Sequence, residues 1–182
     1  LKKKIEKEKI LLIKSYRKGS GKIRPKDNVL WNLAIHDLAY IFNLLNQKIK
    51  KFKIINFNLW DEKIDESKIQ IQFKNKINYI SEFSWINHEK EQKIIIKTNN
   101  KFYIYNELSK NILTENDYEI IQDKSKNKVI KITKKKNINF KNISALENEI
   151  NFFLDKADNN ISYNNLSLTK NITECLENFS KS

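Results

Sequence analysis

Two side chains capable of hydrogen bonding and proton transfer stand four residues apart in the stretch "NVLWNLAIHDLAYIFNLL", residues 28–45. On a helix, Asn32 and His36 would share one face about one turn apart. An imidazole titrates near neutral pH, so it can accept or donate the proton of a hydroxyl group. From the residues alone, two interpretations of His36 stay open: a histidine satisfied inside a core, or a proton-transfer group.

Several neighbours could bind a substrate beside this pair. Arg17 and Arg24 flank a glycine-containing segment, and the fork of a guanidinium suits a phosphate or a carboxylate. The alternative for both is a solvated cation on a basic loop. Trp31 either walls the pocket or packs in the core. Lys90 either approaches the substrate or is a lysine at a strand edge.

Other motifs with recognised chemistry are missing from the sequence. There is no GxGxxG, P-loop, HExxH or GxSxG pattern, and no spacing typical of a metal site. Cys175 is the only cysteine, which excludes an internal disulfide and fits a reducing cytoplasm. We expect its thiol to be a small core group on the last helix.

The composition is that of one folded domain over residues 1–182. Hydrophobic residues make up 40% of the chain, yet no apolar run approaches the ~20 residues of a membrane span. We therefore expect a cytoplasmic protein. Because the chain starts at Leu1 and contains no methionine, we also expect a fragment of a longer protein.

The net charge of +13 is unevenly spread along the chain. Residues 1–53 contain 15 Lys and Arg against 4 Asp and Glu, whereas the remainder contains 20 against 18. A basic third could attract phosphate groups. We nevertheless expect no dedicated nucleic-acid surface, because the sequence has no zinc site, RNP motif or helix-turn-helix signal.

Hydrophobic periodicity predicts an α+β fold. A strand at 10–17 and a loop at 18–27 precede a helix that starts near Asn28 and is capped by Asp27 or Asn28. Alternating segments then predict strands at 52–60, 68–75, 77–85, 92–98, 101–107 and 127–134. Helical spacing returns at 142–157, with Ser144 or Asn142 as the cap, and at 164–182. This order predicts a large, mostly antiparallel open sheet with helices on one face.

Three segments together resemble the Gfo/Idh/MocA oxidoreductases. "GKIRPKDNVLWNLAIHD" is similar to the pattern "LG-x-I-R-x-D-x-N-VLWDLA-P-HD" of the branch that acts on nucleotide-linked or related sugars. "SEFSWINHEKEQKIIIK" resembles the family's "SWLxPxKxR" strand pair. The closing helices resemble the family's "PLxxEcxhFxxxI" segment. The resemblance covers essentially the whole chain.

This resemblance implies the substrate domain of an NAD(P)-dependent sugar or sugar-nucleotide oxidoreductase. His36 matches the family's catalytic histidine, and Lys90 matches the lysine that follows "SW". The dinucleotide fingerprint and the family's "EKP" segment are not found in the chain, so NAD or NADP would be bound mainly by a missing N-terminal domain. The fragment itself should be inactive. The alternatives are a non-catalytic sugar-binding or dimerisation module and, less favoured, a basic RNA-associated protein.

The sequence departs from the family pattern at several positions. Asn32 replaces the common aspartate, so it cannot stabilise an imidazolium by charge. Ile35 replaces a proline, Gln92 replaces an arginine, and His88 stands at a proline position in a predicted turn, where we assign it no role. The uncovered sheet face, with its apolar strands, is a candidate surface for a homo-oligomer.

Overall fold

The computed structural model of the chain describes residues 2–20, 27–59, 62–139, 145–158 and 166–181. Its elements are listed in chain order: α1 (Lys2–Ile5), β1 (Ile10–Ser20), a π-helical turn (Leu30–Ala34), α2 (Ile35–Leu45), β2 (Ile49–Phe57), β3 (Glu66–Phe73), β4 (Asn78–Ser84), β5 (Ile86–Thr98), β6 (Lys101–Asn106), β7 (Leu113–Gln122), β8 (Lys128–Asn137), α3 (Ala145–Asp158) and α4 (Leu166–Ser180).

All eight strands form one sheet in the order β2-β3-β4-β1-β5-β6-β7-β8. Every neighbouring pair is antiparallel except β1 and β4, which run parallel with Ile13 opposite Tyr79. The first strand of the chain therefore lies in the middle of the sheet. The predicted α+β class with a mostly antiparallel open sheet is confirmed.

One face of the sheet, here called the helix face, carries the core. Alternate residues of the central strands point to it, so the side chains of Ile13, Tyr79 and Ile96 are buried there. Leu38 of α2 and Leu176 of α4 cover them and are likewise buried. The opposite face, here called the open face, has no helix packed on it among the described residues.

The second helix starts with a capped and widened turn. The Asn28 side chain accepts a hydrogen bond from the Trp31 N–H at 3.0 Å, which confirms Asn28 as the cap. The Ile35 N–H then bonds to the carbonyl of Leu30, five residues earlier, as in a π-helix. At the other end Asn46 adopts a left-handed conformation with φ 47°, and its N–H closes on the Phe42 carbonyl.

The structure corrects several predicted boundaries. The strand expected at 10–17 continues to Ser20, because Lys18 is still paired with Ser84 and Glu91. The strand expected at 92–98 begins at Ile86, so His88 lies in β5 and the predicted turn is wrong. Strand β7 was not predicted. The caps expected at Ser144 or Asn142 lie outside the described residues.

The lengths of the helices and the burial of Cys175 bear on further predictions from the sequence. No helix in the described part of the chain is long and apolar enough to cross a membrane. Cys175 is half-buried against the core, as expected, and burial raises the pKa of its thiol to about 11. The homo-oligomer through the open face stays a prediction, as does the cytoplasmic location.

Candidate active site

A cleft of about 320 Å³ opens on the helix face, between α2 and the strands β1, β5 and β6. Its lining residues are Arg17, His36, Asp37, Tyr40, Ile94, Tyr105 and Glu107. Two residues of the sequence analysis, His36 and Arg17, thus meet in one cavity although 19 positions separate them in sequence. Helix α2 supplies His36 and Asp37, β1 supplies Arg17, and the turn after β6 supplies Glu107.

An ion-pair cluster forms the floor of the cleft. The Arg17 guanidinium donates through Nε to Oδ1 of Asp37 at 2.7 Å and through Nη2 to Oε1 of Glu107 at 2.9 Å. Burial alone would lower the pKa of Arg17, but the two carboxylates outweigh it and raise that pKa above its ordinary value. Arg17 therefore stays charged and is already held by two acidic side chains.

A buried polar network continues from this cluster into the core. Burial raises the pKa of Asp37 above its ordinary value, although the Arg17 guanidinium and the Ser15 hydroxyl act in the opposite direction. The Ser15 hydroxyl in turn lies 2.7 Å from the hydroxyl of Tyr79, and both residues are fully buried. Burial also raises the pKa of Tyr79 well above its ordinary value. The network fixes the position of α2 above the sheet.

The imidazole of His36 faces solvent at the mouth of the cleft. Within the described residues, it accepts and donates no hydrogen bond, and it belongs to no ion pair. Of the two interpretations of His36, the one that places it inside a core is wrong. His36 is exposed, whereas Leu38, two residues later, is buried. An imidazole without a hydrogen-bond partner at the mouth of a cleft can exchange a proton with a molecule bound there.

Two tyrosines form an aromatic wall beside His36. The rings of Tyr40 and Tyr105 stack with centroids 6.2 Å apart and an interplanar angle of 11°. Burial raises the pKa of Tyr40 to about 12, and it raises the pKa of Tyr105 as well. Both phenols consequently stay protonated at neutral pH and can donate hydrogen bonds into the cleft.

The other predicted site residues lie elsewhere. Asn32 is half-buried but does not line the cleft, and it makes no hydrogen bond with His36. Trp31 is 39% exposed, so the core alternative is wrong; it borders a separate cavity with Asn28 and Glu62. Lys90 is exposed on β5 outside the cleft. Arg24 lies outside the described residues.

Four polar lining residues were given no role by the sequence analysis: Asp37, Tyr40, Tyr105 and Glu107. Tyr40 could have been identified from the sequence, because it follows His36 by four residues and so shares its helix face. Asp37 is adjacent to His36, but its contact with Arg17 depends on how α2 crosses β1. Tyr105 and Glu107 reach the cleft only through the order of the strands.

Comparison with known proteins places this geometry in a wider context. No protein-family model and no curated protein sequence matches the chain. Solved structures do match. UDP-N-acetylglucosamine 3-dehydrogenase GnnA from Acidithiobacillus ferrooxidans is 15% identical, with a TM-score of 0.77 over 96% of this chain and 53% of its own. The dehydrogenase MviM from Clostridium difficile is 16% identical, with a TM-score of 0.68 over 97% and 56%.

A third solved structure adds a bound cofactor. Levoglucosan dehydrogenase in complex with NADH and L-sorbose is 11% identical, with a TM-score of 0.71 over 100% of this chain and 58% of its own. The chain has the fold of one half of a dehydrogenase. These neighbours are oxidoreductases of the Gfo/Idh/MocA type, so the predicted resemblance is confirmed for the fold. The chain spans about half the length of the dehydrogenases that it matches.

The described residues of the chain do not form a Rossmann-type dinucleotide site. A Rossmann site needs a parallel sheet and a glycine-rich turn at a helix N-terminus. The sequence contains two glycines in total, and the described sheet has one parallel pair. The described residues do form a cleft with an exposed imidazole at its mouth, an aromatic wall and a set of hydrogen-bonding side chains.

Proposed function

We propose that the chain is the substrate domain of an NAD(P)-dependent oxidoreductase of the Gfo/Idh/MocA family, acting on a sugar or a sugar nucleotide. The observation that carries this proposal is the exposed imidazole of His36 at the mouth of a cleft lined by hydrogen-bonding groups. The shared fold with sugar dehydrogenases supports it. In this proposal residues 1–182 form one domain of a longer protein.

His36 is the acid–base group of the proposed reaction. In the direction of oxidation, a nitrogen of the neutral imidazole accepts the proton of the substrate hydroxyl, and in reduction the imidazolium returns it. The phenols of Tyr40 and Tyr105 stay protonated and donate hydrogen bonds that orient the sugar. A nicotinamide supplies the hydride chemistry, and a separate dinucleotide-binding domain would have to hold it.

Arg17 has a positioning role rather than the substrate-binding role expected from the sequence. Its guanidinium is already engaged by Asp37 and Glu107, so fewer of its N–H groups are free to bind a phosphate. The carboxyl oxygens of these two partners can accept hydrogen bonds from uncharged hydroxyl groups. We therefore assign the cleft to the sugar ring. Arg24, Lys90 and Trp31 remain candidates for the remainder of the substrate.

Asn32 is assigned a supporting role one turn before His36. A π-helical turn contains more residues than an α-helical turn, so side chains four positions apart lie more nearly in one line along the helix axis. The π-helical turn Leu30–Ala34 therefore brings Asn32 close to the line of His36. Its amide can hydrogen-bond a substrate hydroxyl without adding charge to the site.

The proposal is tested by substrate binding to the chain itself. His36 and His88 are the only histidines, so the two imidazole NMR signals can be assigned with the single variant His88→Gln. We expect UDP-N-acetylglucosamine, levoglucosan or L-sorbose to shift the His36 signal and to leave the His88 signal in place. Shifts of both signals to equal extents, or of neither with all three compounds, would contradict the assignment.

A second experiment addresses turnover. The chain alone should form no NADH or NADPH from these sugars, because its sequence has no glycine-rich dinucleotide fingerprint. In a protein that joins it to its dinucleotide-binding domain, His36→Ala should lower kcat about 10²–10⁴-fold without unfolding the protein. Near-normal turnover by that variant would remove His36 from the mechanism.

A further inference from the structure

A further cavity, of about 350 Å³, lies on the helix face near the β2 edge of the sheet and is here called the α4 cavity. It is bordered by the C-terminal part of α2, the first residues of β2 and one side of α4. It shares no lining residue with the cleft of His36, which lies over β1, β5 and β6. Small-molecule sites span about 300–1,000 Å³, so a ligand of the α4 cavity would be small.

Aromatic rings form the inner wall of the α4 cavity. Phe42 of α2 and Phe179 of α4 are buried, whereas Phe52 of β2 is 38% exposed. The rings of Phe52 and Phe179 meet edge to face, with centroids 4.8 Å apart and an interplanar angle of 65°. The Phe52 ring is thus held by a buried neighbour while part of its surface stays accessible. Such a wall suits the flat apolar part of a ligand.

Polar side chains of α4 form the rim of the cavity. Asn171, Glu174, Cys175 and Asn178 all line it. They follow one another at intervals of three, one and three residues, so they share one face of the helix. Helix α4 therefore presents two amides, a carboxylate and a thiol to the cavity, beside the face that it buries in the core.

Two opposite charges border the cavity from different elements. Lys48, between α2 and β2, supplies an ammonium that has no ion-pair partner among the described residues. Glu174 supplies a carboxylate whose contact with Lys170 is long, at 3.8 Å, and mostly exposed to water, so that pair is weak. A molecule with both a cation and an anion would complement these two groups. A molecule with a single charge would meet one group of like sign.

We propose that the α4 cavity binds a small zwitterion with an aromatic side chain, which is the chemistry of a free aromatic amino acid. The ligand carboxylate contacts Lys48, its ammonium contacts Glu174 and its ring lies against Phe52. Sequence motifs gave no indication of this site, since its two charges lie far apart in the chain and meet only in the fold. The inference is independent of the proposed enzymatic function, whose residues line a different cleft.

The test is isothermal titration calorimetry of the chain with three compounds: L-phenylalanine, phenylpropionate, which lacks the ammonium, and phenethylamine, which lacks the carboxylate. We expect L-phenylalanine to bind about tenfold or more tightly than either of the others, because each of them loses one charge-assisted contact. Equal affinities for the three compounds, or no binding of L-phenylalanine, would overturn the proposal.

Charge variants assign each end of the ligand to its partner. Lys48→Gln should weaken L-phenylalanine binding about tenfold and leave phenethylamine binding unchanged, because phenethylamine has no carboxylate. Glu174→Gln should weaken L-phenylalanine binding to a similar extent and should not weaken phenylpropionate binding. The matched controls are Lys50→Gln and Glu177→Gln, which remove exposed charges that do not line the cavity. Circular dichroism melts establish that each variant is folded. Losses as large in the controls would contradict the assignment.

The only cysteine of the sequence reports where the ligand binds. Cys175 lines the cavity, and burial raises the pKa of its thiol to about 11, so iodoacetamide should alkylate it slowly at mildly alkaline pH. Saturating L-phenylalanine should slow this alkylation further in the wild-type chain. An unchanged alkylation rate despite binding in the calorimeter would locate the ligand outside the α4 cavity and refute the proposal.

Discussion

The Nε of Arg17 on β1 lies 2.7 Å from Oδ1 of Asp37 on α2, and Asp37 is the residue that follows His36. Asp37 is 2% exposed at its side chain and Arg17 14%, so this ion pair is largely shielded from water. It connects the central strand to the helix that carries the imidazole. The orientation of His36 therefore depends on a contact made by its neighbour.

Removing the Asp37 carboxylate should destabilise the fold. Asp37→Ala leaves a buried guanidinium with Glu107 as its remaining partner, and losing one member of a buried pair costs about 3 kcal/mol or more. Urea denaturation followed by circular dichroism measures the loss. The double variant Arg17→Met/Asp37→Leu should recover most of it, because no buried charge remains. A double variant less stable than Asp37→Ala would refute this account.

A negative charge at position 32 should change the electrostatic environment of the His36 imidazole. Asn32→Asp restores the residue that the related family pattern has there, and a carboxylate one turn away favours the imidazolium. We expect the ring NMR signals of His36 at pH 7 to move in this variant, because the new carboxylate lies about one turn from the imidazole. The matched control is Asn43→Asp, two turns along α2, which should move those signals much less. Equal movements in the two variants would mean that position 32 is no nearer to His36 than position 43 is.

The buried hydroxyl pair of Ser15 and Tyr79 should contribute measurably to stability. Tyr79→Phe removes the hydroxyl that lies 2.7 Å from that of Ser15 inside the core, which costs about 1 kcal/mol. Thermal and urea unfolding report the change. Ser15→Ala/Tyr79→Phe removes both polar groups and should be at least as stable as Tyr79→Phe alone. Additive losses in the double variant would contradict the predicted coupling.

The acid stability of the protein should depend on Glu115. A hydrogen bond from Lys101, together with the Lys101 and Lys4 charges, holds the pKa of Glu115 below its ordinary value, although burial opposes this. A lowered carboxylate pKa stabilises the fold above the unfolded pKa of about 4.5. That stabilisation disappears as the pH falls through the lower pKa of the folded state.

Substituting Lys101 should therefore make the free energy of unfolding depend less on pH between pH 3 and pH 7. Lys101→Met lowers the free energy of unfolding at pH 7 by about 1 kcal/mol or less, because the pair is partly exposed, and changes it less at pH 3. Urea midpoints measured from pH 3 to pH 7 give the profile. Lys97→Met, on the open face, serves as the control and should leave the pH dependence unchanged.

The sequence predicts the framework of the fold well where its patterns are local. Strict alternation in β3 and β4 and helical spacing from Asn28 identify elements whose hydrophobic faces the structure buries. Strand β7 was not predicted, because its "TENDYE" section places acidic and polar residues on both faces of the sheet. Its acidic side chains are accommodated by ion pairs, because Lys101 of β6 contacts both Glu115 and Asp117.

The candidate site is less predictable because it is assembled from distant segments. His36 could be singled out from its own helix, and Tyr40 from its spacing to it. Glu107 could not, because its place beside Arg17 requires β6 to lie next to β5 and β5 next to β1. The same order brings Arg17 into contact with Glu107 as well as Asp37, and this is why the proposed function gives it a positioning role.

The central position of β1 has a consequence for how the protein is made. Of the eight strands of this sheet, β1 is synthesised first, but its two neighbours are β4, residues 78–84, and β5, residues 86–98. During translation β1 has no sheet partner until residues 78–98 have left the ribosome. Its Ile-Leu-Leu-Ile run is exposed for that interval, so this protein should fold late on the ribosome and should benefit from chaperones that shield nascent apolar strands.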